Sequence, residues 1–316
     1  MLDAIVALIS TAFLIAAIYG LVYWAHRAET DRSASAGIYL LFGLPGGLLI
    51  VAGTALMTTT DLAEGPFILA SGVAFLLPLV RPFRKLIASF TPMNPNSPID
   101  LCGLALTLWV MSFFVISASQ SGPAEVGGIG DGGLTSSLFW LILNAATFVG
   151  VAYVAVGYRI HRSGAEATRR LGLTVPGLKI IAISLAMVIP CFIVSGIGSA
   201  LTFAFQPDVT DNLEDTMEQM TSGLDNPLGA LLIGLSAGIG EEVLFRGAIQ
   251  TRFGIVIAAL FWTTLHIQYD VSFVLAGLFG VGILLGIQRK YFGTMSAVIT
   301  HAVYNMAVVA LQFLVT

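Results

Sequence analysis

The stretch PLGALLIGLSAGIGEEVLFRG, residues 227–247, decides how this chain is read. From Pro227 to Ile239 it carries no charge. Then Glu241 and Glu242 arrive side by side, and Arg246 follows one turn later. An ionisable residue at membrane depth costs roughly 2.5 kcal/mol or more on insertion scales, so paired carboxylates closing an apolar run mark a place to look for function. Glu242 and Arg246 are four apart, share a helix face and can pair. Glu241 sits about 100° further round the helix. One carboxylate is thus neutralised by Arg246 while its neighbour stays available to take a proton, the task of a general base. A structural ion cluster tying helices together is the competing reading of the same residues.

Working outward, hydrophobic residues make up 57 % of the 316 and charged residues 10 %, with a mean hydropathy of +0.91. Those values exclude an ordinary soluble domain and predict an all-α, polytopic membrane helix bundle. About ten transmembrane helices are expected, over residues 2–24, 37–57, 66–80, 101–118, 137–158, 180–205, 227–245, 253–268, 271–288 and 295–315. The first run holds Asp3 and has no basic flank before it, so it reads as a retained span rather than a cleaved leader. Cys102 and Cys191 both lie in apolar runs and read as packing residues, not as a disulfide framework or a metal cluster.

Charge placement tests the count. With the N-terminus outside and the gaps numbered alternately, the inside gaps take Arg27 and Arg32; Arg81, Arg84 and Lys85; Arg159, Arg162, Arg169, Arg170 and Lys179; Arg246 and Arg252; Arg289 and Lys290. These are all 14 Lys and Arg of the chain. The outside gaps hold Asp61, Glu64, Glu125, Asp131, the acidic run from Asp208 to Asp225, and Asp270. Basic residues favour the cytoplasmic side, which predicts an integral protein of the plasma (inner) membrane with both termini outside. Membrane lipid is the expected surrounding partner, and no nucleic acid is expected.

The basic stretch 158–179 is expected to lie on the inner headgroups, dividing an N-terminal membrane bundle of about five spans (residues 1–170) from a second half (171–316). Residues 120–135, rich in Gly, read as a flexible outer loop. Residues 206–226 are acidic with weak helical spacing at Leu213, Met217 and Met220, and read as a solvated loop rather than a surface helix. Pro45, Pro78 and Pro190 are expected to kink their helices. Ala230, Gly234 and Gly238 repeat every four residues, and Gly282 and Gly286 do the same, which lets neighbouring helices approach closely.

Polar residues within the last four runs complete the pattern. His301 and Asn305 are spaced i,i+4 and point the same way. His266 follows the apolar run 260–265, with Trp262 one turn before it. An intramembrane His taken singly is often a helix-to-helix hydrogen-bond partner; two of them with an Asn and a Glu pair are harder to explain so. The ordered set Glu241-Glu242-x-x-x-Arg246, aromatic-x-x-x-His266 and His301-x-x-x-Asn305 resembles the CPBP family, the type II CAAX-prenyl-endopeptidase-like (ABI) intramembrane proteases. The resemblance covers roughly residues 229–309. One departure is that the family usually has Phe four before the first His, where this chain has Trp262 with Phe261 beside it.

The resemblance implies a catalytic set. Glu241, with His266, would activate a water for attack on a peptide carbonyl, with Glu242 and Arg246 as the supporting pair. His301 and Asn305 would donate to the tetrahedral oxyanion, a contribution of about 3 kcal/mol per donor. Metal-free hydrolysis is favoured, because there is no His-Glu-x-x-His pattern and Arg246 beside the carboxylates disfavours a divalent cation. The alternative is zinc held by Glu241, His266 and His301. Helix counting from the inside basic flanks puts Glu241 and His301 about 10 Å deep and His266 about 20 Å deep, yet the side chains are expected to converge.

The expectation is therefore an intramembrane endopeptidase acting on a prenylated or otherwise membrane-held peptide or membrane protein. Two rivals stand beside it. A proton-coupled transporter would use the glutamates and histidines as a relay, and a non-catalytic scaffold would bind a membrane partner. The first six runs lack polar residues of this strength, which counts against the transporter. A scaffold has no need of a donor pair.

Overall fold

The computed structural model describes residues 2–59, 64–121, 133–221, 224 and 226–315, and no β-strand occurs among them. The α-helices, in chain order, are α1 (Leu2–Arg27), α2 (Arg32–Thr59), α3 (Gly65–Leu76), α4 (Arg81–Ala88), α5 (Pro98–Ser121), α6 (Gly133–Ala155), α7 (Gly164–Leu171), α8 (Leu178–Phe205), α9 (Pro207–Thr221), α10 (Pro227–Glu242), α11 (Gln250–Thr264), α12 (Phe273–Phe292) and α13 (Thr294–Val315). Among the described residues eight helical stretches are long and apolar enough to cross a membrane. The chain is a polytopic helical membrane protein. The expected flexible loop at 120–135 overlaps 122–132, which lie outside the described residues.

The structure departs from the ten expected spans in two places. The run 66–80 is broken, because α3 ends in a 3-10 turn (Leu77–Leu79) and the chain bends by 80° into α4. Pro78 lies in that turn and Pro82 opens α4, so two backbone donors are missing at the bend. The expected gap at 246–252 is helical instead. α10 continues into a π-helix (Val243–Ile249) and then α11. The break comes at Gly254, whose φ of 79° and ψ of 176° no other residue adopts readily. Pro45 and Pro190 sit inside helices assigned without interruption. The acidic run forms helix α9 rather than a loop, with Asp208 in its first turn and Thr216 buried.

Contacts divide the residues into two compact units. One comprises Met1–Ala16, Glu125–Thr251 and Ile255–Thr316; the other Ala17–Ala124 with Arg252–Gly254. In the first unit, small residues set how closely helices meet. A Cβ on Gly238 would stand 2.8 Å from the Ala302 backbone nitrogen, and one on Gly234 2.6 Å from the Ala302 carbonyl oxygen. α10 and α13 therefore touch backbone to backbone. Gly198 meets Phe273 and Gly277 in the same way, joining α8 to α12, and Gly282 and Gly286 admit Ala259 and Ile255 of α11.

A buried polar tie fixes the register of α8, α12 and α13. The Gln288 amide donates to the hydroxyls of Ser296 (2.7 Å) and Thr300 (2.6 Å). Thr300 in turn donates to the Ser184 carbonyl at 2.8 Å, and the hydroxyls of Ser184 and Ser296 are 2.8 Å apart. Each donor left unpaired in such a place would cost about 1–3 kcal/mol, so sliding α13 by a residue is strongly disfavoured. His301 follows Thr300 directly, and its position is inherited from this tie.

In the second unit, Ala25, Ile38, Phe42, Leu101, Cys102 and Ala105 form the buried apolar cluster between α1, α2 and α5. A Cβ on Gly53 would meet the Leu69 backbone at 2.4 Å, so α2 and α3 are in direct contact.

Candidate active site

The close crossing of α10 on α13 brings two of the motif's three pieces together. One turn beyond Gly238, Glu242 faces His301, the residue next to Ala302. His301 Nδ1 lies 2.8 Å from Glu242 Oε1, and Arg246 Nη1 lies 2.9 Å from the same oxygen. Glu242 and Arg246 are wholly buried and His301 nearly so. The expected Glu242–Arg246 pair is thus present, with His301 as its third member. Arg246 also donates to the Gly282 carbonyl at 3.3 Å, which ties the pair to α12.

Arg246 is carried on the π-helix, where six consecutive residues, Val243 to Ala248, are buried. A π-turn widens the helix and redirects the side chains that follow it. Gly247 lies in this turn, where a Cβ would come 3.1 Å from the Leu171 carbonyl and side chain. Local composition carries no sign of such a turn, because it depends on the packing against α7.

Asn305 Nδ2 is 3.2 Å from His301 Nε2. With the amide nitrogen donating, Nε2 accepts, and the remaining Nδ1–H is left for Glu242. The two residues expected to act as oxyanion donors are brought together, but they are turned toward each other, and both His301 nitrogens are engaged. Asn305 keeps a second N–H.

The third piece converges despite the depth counted from sequence. Gly254 breaks the helix, so the leg carrying His266 starts later and at a new angle. His266 Nε2 stands 3.9 Å from Glu241 Oε2, inside ion-pair range and beyond a hydrogen bond. His266 Nδ1 is 2.9 Å from the Trp262 carbonyl oxygen. A carbonyl only accepts, so Nδ1 bears the proton and a neutral His266 turns the lone pair of Nε2 toward Glu241. The side chains of Glu241 and His266 keep 14 % and 17 % of their surface exposed, against 0–3 % for Glu242, Arg246 and His301. The accessible pair and the sealed triad are therefore distinct.

Trp262 joins them. Its indole N–H donates to Glu241 Oε2. The Arg246 guanidinium lies over its ring at 4.9 Å, and the rings of His266 and His301 lie 4.4 and 5.6 Å from it. The sequence shows this side chain only as the aromatic one turn before His266. The residue type, which can donate where Phe cannot, was the available signal. Tyr269 was missed altogether. Its ring stacks on His266 at 6.3 Å, and its hydroxyl donates to Met217 Sδ of α9.

The alternative zinc set does not fit these positions. His301 has both ring nitrogens engaged within the triad, and Arg246 places a cation beside the carboxylates. Among the described residues no three His, Cys, Asp or Glu side chains are placed to share a metal ion.

Comparison with known proteins agrees with the geometry. The family model for type II CAAX prenyl endopeptidases, Rce1-like, matches residues 223–307. No curated protein and no solved structure gives a significant match to the chain. The matched segment holds both carboxylates, Arg246, both histidines and Asn305, so over these residues the chain is similar to the type II CAAX prenyl endopeptidases.

Proposed function

We propose that the protein is an intramembrane endopeptidase that hydrolyses a peptide bond of a membrane-held peptide or protein, with Glu241 as the general base. The observation that carries this reading is the approach of two proton acceptors, Glu241 Oε2 and His266 Nε2, to 3.9 Å at a partly accessible position. A water donating to both has its lone pairs turned outward, toward a substrate carbonyl. Glu241 takes the proton as the oxygen attacks, and His266 shares the charge that develops. The proton then passes to the leaving amine.

The other side chains have supporting roles. Glu242, Arg246 and His301 form a neutralised, buried block that fixes the end of α10. The second N–H of Asn305, beside His301, is a donor for an oxyanion, and a backbone or side-chain donor of this kind contributes about 3 kcal/mol. The reaction runs without a metal. The substrate class is a prenylated or similarly anchored chain held in the same membrane.

The test is to reconstitute the purified protein in lipid nanodiscs with prenylated and unprenylated membrane-anchored peptides and to read new amino termini by mass spectrometry. Cleavage lost in both Glu241→Gln and His266→Ala, with folding intact, supports the proposal. Full cleavage in either variant removes its base or its partner. Intact peptides alongside proton-driven uptake would favour the transporter instead.

A further inference from the structure

The second unit holds a buried arginine whose charge meets no carboxylate. Arg84 is 4 % exposed. Its guanidinium donates to three neutral oxygens, the Pro95 carbonyl (2.8 Å), the Tyr39 hydroxyl (3.1 Å) and the Pro78 carbonyl freed by the bend. The carboxylates at this end of the helices are already committed. Asp31 meets Arg27 and caps the start of α2, Asp100 meets Arg252 and the Asn94 amide, and Glu29 meets His26. Among the described residues no acidic oxygen lies within ion-pair distance of Arg84. A buried cation is ordinarily paired, and this one lacks its anion.

Arg84 also lines a cavity of about 40 Å³, whose other polar walls are Ser35, Tyr39, Asn96 and Ser97 at the start of α5. On this measure one water needs roughly 10–15 Å³, so the space takes a group of several heavy atoms. Every polar side chain around it can donate, and Ile38, Pro98 and Leu101 complete the wall. Asn96 turns its oxygen to Arg81 at 3.1 Å and so keeps its amide N–H groups for the cavity. The hydroxyls of Ser35 and Ser97 add two donors, and the positive end of α5 adds a favourable field. No carboxylate lines it. Arg27, Arg32, Arg81 and Lys85 stand at the ends of α1, α2 and α4, and basic pockets between membrane helices suit headgroups.

We propose that this cavity binds a phosphate group, presented by an anionic phospholipid. The oxyanion supplies the charge that Arg84 lacks, accepts from Asn96, Ser35 and Ser97, and fastens the bent α3–α4 segment to α2 and α5.

The full chain, purified in a neutral detergent, is tested by native mass spectrometry and by thermal melting with phosphatidylglycerol, diacylglycerol or inorganic phosphate. Phosphatidylglycerol is expected to stay bound and to raise the melting temperature, while diacylglycerol does neither. Ser35→Asp places a carboxylate beside Arg84. This variant is expected to fold without lipid and to bind phosphatidylglycerol at least about tenfold more weakly, the loss of one charge-assisted contact. Arg84→Gln should weaken binding in the same direction, and if it fails to fold, Ser35→Asp decides alone. Stabilisation by inorganic phosphate that is lost in Ser35→Asp supports the site with a free phosphate as its source. Equal phosphatidylglycerol binding by wild type and Ser35→Asp, or equal stabilisation by diacylglycerol, overturns the proposal.

Discussion

Trp262 donates its indole N–H to the carboxylate of Glu241, so the side chain packed against one histidine also holds the accessible glutamate. The same ring lies under the Arg246 guanidinium. Any change at Trp262 therefore reaches the accessible pair and the sealed triad together.

Replacing Trp262 by Phe keeps a ring on His266 and removes the donor. A hydrogen bond to a charged group contributes about 1.5–3 kcal/mol, so kcat/KM for peptide cleavage should fall by roughly ten- to a hundredfold. Trp262→Ala should fall further and also melt at a lower temperature, because the buried ring goes too. Unaltered kinetics in Trp262→Phe would show that the indole N–H does not act on Glu241.

The sealed triad predicts asymmetric stability effects. Arg246→Met leaves the buried Glu242 charge with only the His301 N–H, and losing the cation of a buried pair costs about 3–5 kcal/mol, so the melting temperature should drop sharply. The double variant Glu242→Gln/Arg246→Met removes the stranded charge, and its melting temperature should recover in part while cleavage stays low. A double variant no more stable than Arg246→Met would remove the electrostatic explanation.

Helix contact sets the geometry, and this is testable away from any polar group. Gly238→Ala places a Cβ against the Ala302 backbone and should destabilise by about 1–3 kcal/mol, lowering cleavage as Glu242 and His301 part. Gly196→Ala, on α8 with open space around it, should match wild type in both assays. Equal behaviour of the two variants would mean that α10 and α13 do not meet as described.

Metal removal should have no effect. Purified protein treated with a strong zinc chelator and dialysed is expected to cleave at the untreated rate. A loss restored by added zinc would require a ligand set other than the one described.

Much of this was legible because buried charge is costly. Glu241, Glu242, Arg246, His266, His301 and Asn305 stood out against apolar runs, and the small residues at 230, 234 and 238 forecast a close helix contact. The parts that were not legible depend on tertiary context. The π-turn at Val243–Ile249 and the join of two spans reflect packing around Gly247 and the backbone of Gly254, and Arg246 with Arg252 suggested a loop there. The depth mismatch for His266 came from counting across that join. The α9 helix was underrated because its apolar spacing is sparse, and the Tyr269–Met217 contact has no local signature. The orientation of Trp262 toward Glu241, rather than its presence, was likewise a matter of packing.

The central claim is that Glu241 activates a water and does not itself attack the substrate. A single turnover of the wild-type protein in oxygen-18 water tests it, with mass spectrometry of both the product and the protein. The account predicts heavy oxygen in the new carboxylate of the product from the first turnover and none in Glu241. Unlabelled first product with label appearing in the Glu241 side chain would contradict it.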